Sequence, residues 1–185
     1  MKHALVPLIL ALAGCGGWRV YDGGRRVDMG LYSVDPQIRW SGWKESRHQD
    51  WTIDGWAIHE VRFVNGVKDG RALWPWVEEK PNPPLFHKDM TPHEVAEMVT
   101  ATLAVNGGQK IRVSGLKPQA WGKLTGFRFD LDYLDRNDLE MQGLATGLVQ
   151  EERLYLILHL GAKEHFFPKY RDPVERMIAS IQINE

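Results

Sequence analysis

The stretch from Leu124 to Leu160 constrains the fold of this 185-residue chain more than any other, because its periodicity is that of paired β-strands. Apolar side chains alternate with charged ones in its first part, as in a strand with one buried face. The apolar positions are Phe127, Phe129, Leu131 and Tyr133. A turn at 135–137 would return the chain as a second strand, with Leu131 opposite Met141. Leu154–Leu160 is apolar on both faces and predicts a central strand of an antiparallel sheet.

Two helices are indicated by start signals of the same kind. Thr91 precedes Pro92, and Glu94 follows Thr91 by three residues, which is a capping box with proline in the first turn. One side of the helix that follows is apolar at helical spacing. Its members are Val95, Met98, Val99, Thr102 and Leu103. Asp172–Glu175 repeats the cap pattern and predicts a last helix, which a separate helical turn at Glu164–Tyr170 would precede.

Seven of the eight tryptophans lie between residues 18 and 76. Such rings either fill a core or line a groove for a glycan or peptide. Trp40 and Trp43, among serine, glycine and lysine neighbours, are typical of a surface. Trp56 and Trp74 have β-branched or leucine neighbours, which are typical of a core.

A proline-rich loop follows the last of these tryptophans. Residues 76–90 are predicted to be a loop, because three prolines lie between Glu78 and Pro84. A proline loop is stiff and loses little entropy when it binds, and tryptophan is the residue most enriched at interface hot spots. We therefore take four residues as candidates for a binding surface, with the alternative that Trp76 only pins the loop to the domain. They are Trp40, Trp43, Trp74 and Trp76.

The N-terminal residues have the layout of a secretory signal. Lys2 and His3 precede a short apolar run, and Leu12–Gly14 places small residues before Cys15, which is the only cysteine of the chain. This segment resembles the lipobox of bacterial lipoproteins, in which the cysteine is acylated and becomes the first residue. The resemblance implies lipidation of Cys15 and an anchor in a membrane of the cell envelope, and Gly16 favours the outer membrane.

The domain organisation expected from this resemblance has three parts. Residues 1–14 would be a lipoprotein signal peptide, and residues 15–30 a lipidated N-terminus with a short linker or hairpin arm. Residues 31–185 would form a single α+β domain, which is long enough to bury a core without disulfides.

Several functional classes lack their signals. A formal net charge of −1 with no basic stretch gives no reason to expect nucleic acid as a partner. No glycine-rich phosphate loop precedes a helix, so no cofactor is expected. The histidines lack metal-ligand spacing, and the acidic run Asp130–Glu140 lacks the glycine and glutamate of an EF-hand, so no metal site is expected.

The second half of the chain resembles the PsbP-like α/β/α sandwich. The resemblance rests on the hairpin, the central strand and the closing pattern Val174–Ile181, and it covers about Trp51–Ile183. The particular strings Thr91–Met98, Gly126–Phe129 and Arg153–Ile157 are similar to uncharacterised lipoproteins of proteobacteria. The resemblance implies an antiparallel sheet flanked by helices that serves as a binding or assembly module.

Two hypotheses about function follow. The first is a non-catalytic, lipid-anchored module that binds an envelope protein or a glycan. The second is an envelope hydrolase that uses a histidine with carboxylates of the Asp130–Glu140 face, or a glycan-binding protein with a tryptophan-lined groove. A deep pocket that gathers His59 or His159 with two carboxylates would favour the enzyme.

Overall fold

The computed structural model describes residues 17–45 and 47–185. Cys15 and the predicted signal peptide lie outside the described residues. None of the helices in the part that the structure describes is long and apolar enough to cross a membrane.

The described chain forms two antiparallel sheets and three helices. Its strands are β1 (Gly17–Tyr21), β2 (Val27–Asp28), β3 (Tyr32–Val34), β4 (Trp40–Glu45), β5 (His48–Thr52), β6 (His59–Lys68), β7 (Gln109–Trp121), β8 (Leu124–Leu134), β9 (Glu140–Gln150), β10 (Arg153–Ala162) and β11 (Gln182–Ile183). Its helices are α1 (Pro75–Glu78), α2 (Pro92–Val105) and α3 (Phe166–Ala179). Eight strands make one sheet in the order β1-β4-β5-β6-β10-β9-β8-β7, and β11-β3-β2 make a small second one. The expected α+β class and the central position of Leu154–Leu160 are confirmed.

Each face of the large sheet has its own apolar core. On one face, α2 and residues 72–86 pack on the side chains of β6, β10, β9 and β8. On the other face, α3 and the small sheet pack on a layer that also includes β4 and β5. The first core therefore ends at β6, while the second continues to Trp40 and Trp51 near the β1 edge.

The helix α2 forms as the sequence predicts. The Thr91 hydroxyl accepts from the Glu94 backbone N–H, and the Glu94 carboxylate accepts from the Thr91 N–H, so both halves of the capping box are present. The predicted apolar side is buried. Gly107, with a φ of 94°, follows the helix in the left-handed conformation that glycine adopts without strain.

The pairing register of the hairpin formed by β8 and β9 differs from the predicted register by two residues. Leu134 pairs with Glu140, so Leu131 lies opposite Gly143 rather than Met141. The loop is wider because the Asp135 carboxylate accepts hydrogen bonds from the N–H groups of Asn137 and Leu139. The loop therefore contains five residues, 135–139, instead of the three that were predicted.

The last helix is longer than predicted. It is continuous from Phe166 to Ala179 and carries Pro173 inside it, so the separate helical turn and the cap at Asp172 are wrong. Proline in a helix interior costs about 3 kcal/mol. Here the helix buries five side chains against the sheet, which offsets that cost. They are Phe167, Tyr170, Val174, Met177 and Ile178.

The N-terminal segment belongs to the sheets. The linker or hairpin arm expected within residues 15–30 does not form in the described residues, because β1 pairs with β4 and β2 pairs with β3. The segment 76–90 also departs from a pure loop, since its start lies in the short helix α1. Asn65 and Gly66 lie inside β6 at a shift in its register with β10.

Candidate functional site

One row of side chains crosses four strands at the β1 end of the sheet. Trp18 pairs with Trp43, Trp43 with Asp50, and Asp50 with Arg62. Directly paired residues of an antiparallel sheet project to the same face. Arg62 pairs in turn with Leu158, which belongs to the core beneath α2. The row therefore lies on the α2 face. Its Arg62 end adjoins the apolar core, and its Trp43 and Trp18 end lies outside that core.

The uncovered part of this face is open to solvent and aromatic. Trp18 is 59% exposed, and Trp43 is half-buried. Trp18 stacks on Trp56 with ring centroids 4.8 Å apart and meets Trp43 edge-on at 6.4 Å. Contiguous exposed aromatic surface of this kind marks an interaction site more often than isolated apolar residues do.

A cleft of about 340 Å³ opens where the core ends. We call it the tryptophan cleft and define it by six residues of its wall. They are Trp56, Glu60, Arg62, Trp74, Trp76 and Tyr133. Its volume lies at the lower end of the range found for small-molecule sites, about 300–1,000 Å³.

The tryptophans of segment 72–90 form one side of this cleft. Trp74 and Trp76 are parallel, with an interplanar angle of 2° and centroids 5.6 Å apart. Trp74 is 3% exposed, whereas Trp76 is 42% exposed and donates from Nε1 to Asn106 Oδ1 over 3.2 Å. Pro75 fixes the backbone between them at the start of α1. The ring of Trp76 is thus held in place while one face stays accessible.

A buried ion pair forms the polar wall. Arg62 Nε lies 2.8 Å from Glu60 Oε2 and 3.9 Å from Asp50 Oδ1. The Arg62 guanidinium also lies over the Trp74 ring, 5.0 Å from its centroid. Since the partners lie two residues apart in β6, they share the α2 face.

Burial and charge act on these groups in opposite directions. Burial raises the pKa of Glu60, and Arg62 offsets part of that rise. Burial would lower the pKa of Arg62, but Glu60 and Asp50 outweigh it and raise this pKa. Burial also raises the pKa of the Tyr133 phenol, so this group stays protonated and can donate a hydrogen bond at neutral pH.

Three buried polar atoms of the cleft have no hydrogen-bond partner among the described residues. They are Glu60 Oε2, Arg62 Nε and Trp74 Nε1. The Arg62–Glu60 contact is close enough for strong attraction, but the N–H is not directed at the oxygen as a hydrogen bond requires. An unsatisfied buried group costs about 1–3 kcal/mol, so it calls for an explanation such as a ligand.

A second cleft of about 410 Å³ lies on the other side of Trp76. We call it the second cleft, and its wall includes Trp43, Arg47, His48 and Asp50. His48 is fixed there by a hydrogen bond between its Nε2 and the Leu73 carbonyl. Because Trp76 lines both clefts and Asp50 contacts Arg62, the two form one continuous surface.

The four tryptophans predicted to bind differ in exposure and position in the structure. Trp43 and Trp76 line the clefts with accessible faces, and Trp74 lies behind Trp76 with its indole N–H unpaired. Trp40 is wrong as a surface residue: it is 0% exposed and donates to the Pro36 carbonyl at 2.9 Å on the α3 face. The reason is strand geometry, since residues three apart project to opposite faces.

Sequence reasoning missed four residues of the site. Trp56, placed in the core, is 41% exposed, and Trp18 was assigned to an arm. Glu60 and Arg62 were not singled out. Their signal was present, because charges that alternate with Val61 and Phe63 in a β-rich run lie on one face of a strand.

The histidines of the hydrolase hypothesis lie elsewhere. His59 and His159 are fully buried under α3, with ring centroids 5.3 Å apart, and their ring nitrogens have no hydrogen-bond partner among the described residues. Burial lowers the pKa of His59 to about 4 and that of His159 to about 3. Across residues 17–45 and 47–185, no group of three or more His, Cys, Asp or Glu is arranged to hold a metal ion. Neither histidine lines the tryptophan cleft or the second cleft.

The acidic hairpin is balanced by cations. Lys163 Nζ lies 3.7 Å from Asp132 and 3.3 Å from Glu140, and Arg128 makes a two-pronged contact with Glu175. The Lys163 contacts explain how Asp132 and Glu140 tolerate each other on this face. A larger apolar groove, of about 630 Å³, lies near Pro92 and Leu116, and it holds none of the unpartnered buried atoms.

Known proteins offer little guidance by sequence. No protein-family model matches the chain, and no curated protein is significantly similar to it. Among solved structures, cyanobacterial PsbP from Synechocystis is similar over 94% of this chain and 96% of that one, with 10% identity and a TM-score of 0.46.

Two further solved structures are similar at the same level. LpqN, a protein involved in cell envelope biogenesis of Mycobacterium tuberculosis, is covered to 88%, with 9% identity and a TM-score of 0.41. The immunity protein TplEi of the type VI secretion system of Pseudomonas aeruginosa has 11% identity and a TM-score of 0.41. The match spans 78% of this chain but only 45% of the TplEi chain. These likenesses concern architecture and carry no conclusion about activity.

Proposed function

We propose that this protein is a non-catalytic binding module of the bacterial cell envelope, anchored by a lipid on Cys15, with the tryptophan cleft as its binding site. The observation that carries the proposal is the row from Trp18 to Arg62, which leaves the core and continues as an open aromatic and charged surface. An antiparallel sheet commonly leaves one face to solvent, but such a face is normally polar, whereas this one carries exposed tryptophan rings.

The chemistry of the cleft suits recognition better than proton transfer. Glu60 and Arg62 are held against each other, so each stabilises the charged form of the other. Tyr133 has a raised pKa and acts as a hydrogen-bond donor. Fixed donors, fixed acceptors and exposed aromatic faces are the features of a site that orients a ligand.

The anchor would bring this surface close to the membrane. Three peptide units connect Cys15 to Trp18, and a fully extended chain spans at most about 3.6 Å for each residue. Trp18 would therefore lie within about 11 Å of a lipidated Cys15. The tryptophan side of the sheet would face ligands that are themselves part of the envelope.

Site-specific crosslinking in cells tests the binding site. A photoreactive phenylalanine derivative replaces Trp76, and the matched control replaces Leu116, which is 38% exposed on the opposite edge of the sheet. We expect an adduct from position 76 in the envelope fraction and none from position 116. Equal labelling at both positions, or no adduct at position 76, would contradict the proposed site.

Fatty-acid labelling tests the anchor. Cys15→Ser should lose incorporation of a labelled fatty acid, because the only thiol is gone. A second chain that combines Cys15→Ser with Ser114→Cys keeps one thiol, on exposed β7, and should also stay unlabelled. Labelling of either variant would show that Cys15 is not the acceptor.

A further inference from the structure

Trp76 lines both clefts, and the groups around it restrict the chemical class of ligand that the two clefts can bind. We infer that together they bind an uncharged oligosaccharide that runs past Trp76, with one sugar ring in each cleft. The inference rests on the proposed function and adds to it the chemical class of the ligand. Three independent features of the site support it.

The first feature is the accessible aromatic faces. Trp56 and Trp76 are 41% and 42% exposed, although tryptophan is usually highly buried. Aromatic faces carry partial negative charge and attract the weakly positive C–H groups of an apolar ligand face. A pyranose ring has such C–H faces and carries its hydroxyl groups around the rim, so it can stack on tryptophan and bond to polar groups beside it.

The second feature is the mixture of donors and acceptors in the tryptophan cleft. Trp74 Nε1 is a buried donor without a partner among the described residues, and the Arg62–Glu60 ion pair beside it presents a guanidinium donor next to a carboxylate acceptor. A ligand with only donors, such as an ammonium ion, would leave the indole N–H unmet. A ligand with only acceptors, such as phosphate, would be repelled by the carboxylate. A hydroxyl group donates and accepts, so neighbouring sugar hydroxyls can bond to all three groups.

The third feature is the charge balance. Four arginines and five carboxylates line the two clefts, so the charges nearly cancel. The arginines are Arg47, Arg62, Arg71 and Arg136, and the carboxylates are Glu45, Asp50, Glu60, Glu79 and Asp135. A strongly charged ligand would meet as much repulsion as attraction along this surface. An uncharged ligand meets neither.

The length of the surface favours a chain over a single sugar. Arg62 and Trp43 lie on strands separated by two interstrand spacings, which is about 10 Å. Trp76 stands between the two clefts and lines both of them. One ring in each cleft would place a glycosidic link beside Trp76.

Titration calorimetry of the purified protein tests the inference. The probe is chitotetraose, an uncharged oligomer of N-acetylglucosamine, and maltotetraose is the second uncharged probe. We expect saturable binding of at least one of them. Trp76→Ala should weaken it at least tenfold, because the stacking face is lost, and Trp76→Phe should stay within about threefold because an aromatic face remains. Glu60→Gln should also weaken it, while Leu116→Ala should leave it unchanged.

Other results would overturn the inference about the ligand or the proposed function. Binding of neither oligosaccharide overturns the inference, and so does binding that Trp76→Ala leaves intact. Binding of choline or inorganic phosphate in place of the sugars would assign the clefts to a charged ligand. If crosslinking from position 76 yields a protein adduct, the binding module stands and the ligand class is wrong. If position 76 yields no adduct in cells, the proposed function fails as well.

Discussion

Tryptophan side chains of the strands are buried on one face of the large sheet and accessible to solvent on the other. On the α3 face, Trp40 and Trp51 are completely buried, and the core extends close to the β1 edge. On the α2 face, the core ends at β6, and Trp18 and Trp43 lie beyond it. The same residue type is packing material on one face and accessible surface on the other.

This difference has a physical cause. The helix α3 and the small sheet cover β4 and β5 on their face, whereas α2 and residues 72–86 pack over the opposite end of the sheet. Side chains on a strand alternate between the faces, so a difference of three residues between Trp40 and Trp43 decides which becomes core. A tryptophan is therefore informative about function only after its face is known.

The largest expected effect comes from the covered face. Trp40→Ala should lower the free energy of unfolding by about 3–5 kcal/mol, because it removes a fully buried ring and leaves a cavity. Trp40→Phe should cost less, since part of the ring volume is kept. Urea unfolding of the purified protein measures both values.

The matched change on the open face should do little to stability. Trp76→Ala should lower the free energy of unfolding by less than about 1 kcal/mol, because the residue is 42% exposed and its one side-chain hydrogen bond is exposed as well. Similar losses for Trp40→Ala and Trp76→Ala would remove the distinction between the faces.

An effect between those of Trp40→Ala and Trp76→Ala is expected from the ion pair at the boundary of the core. Arg62→Met should cost about 3 kcal/mol, because Glu60 is left as a buried carboxylate without its cation. The double change Arg62→Met with Glu60→Gln should regain a large part of this loss. Thermal or urea unfolding of the single and double variants measures the coupling, and an additive double variant would show that the two groups do not act as a pair.

An acid-dependent loss of stability is expected from the covered face. The pKa values of His59, about 4, and His159, about 3, lie below the unfolded value of 6.5. The unfolded chain then takes up protons first as the pH falls, so stability is full above pH 6.5 and declines below it. From pH 7 to pH 5 each histidine should remove about 2 kcal/mol.

The control for this effect is His159→Leu, followed by urea unfolding at pH 7 and pH 5. The difference from the native protein isolates the histidine, because Glu60 and Asp50, whose pKa values are raised, act in the opposite direction in both proteins. Asp54 and Lys169 oppose each other beside His59, and Arg171 adds to the lowered pKa of His159. Identical pH slopes in the two proteins would show that His159 is not held neutral.

Local signals in the sequence were sufficient for much of the fold. The capping box at Thr91 and the alternation from Phe127 to Tyr133 gave α2 and β8 with their buried sides. The hairpin register failed because side-chain bonds from Asp135 widened the loop. The sequence predicted two helical segments in place of α3, because proline is typical of the first turn of a helix and Pro173 was read as such a start. Burial against the sheet keeps the helix continuous through Pro173.

The candidate site was only partly within reach of the sequence. Trp43 and Trp76 were identified, but Trp18 and Trp56 were not, because their exposure depends on where α2 stops covering the sheet. The pairing of Trp43 with Asp50 and Arg62 is a long-range register that no local pattern specifies. The error at Trp40 could have been avoided, since strand alternation places it opposite Trp43.

Ligand binding by the open face can be followed through the indole N–H signals of the eight tryptophans, recorded by NMR while chitotetraose is added to the purified protein. The signals of Trp56 and Trp76 should shift and saturate together, because these rings line the tryptophan cleft. Those of Trp40, Trp51 and Trp121 should stay in place, because these rings are fully buried on the other face. Shifts confined to the buried rings, or no shifts at any tryptophan, would contradict the claim that the open face is the binding surface.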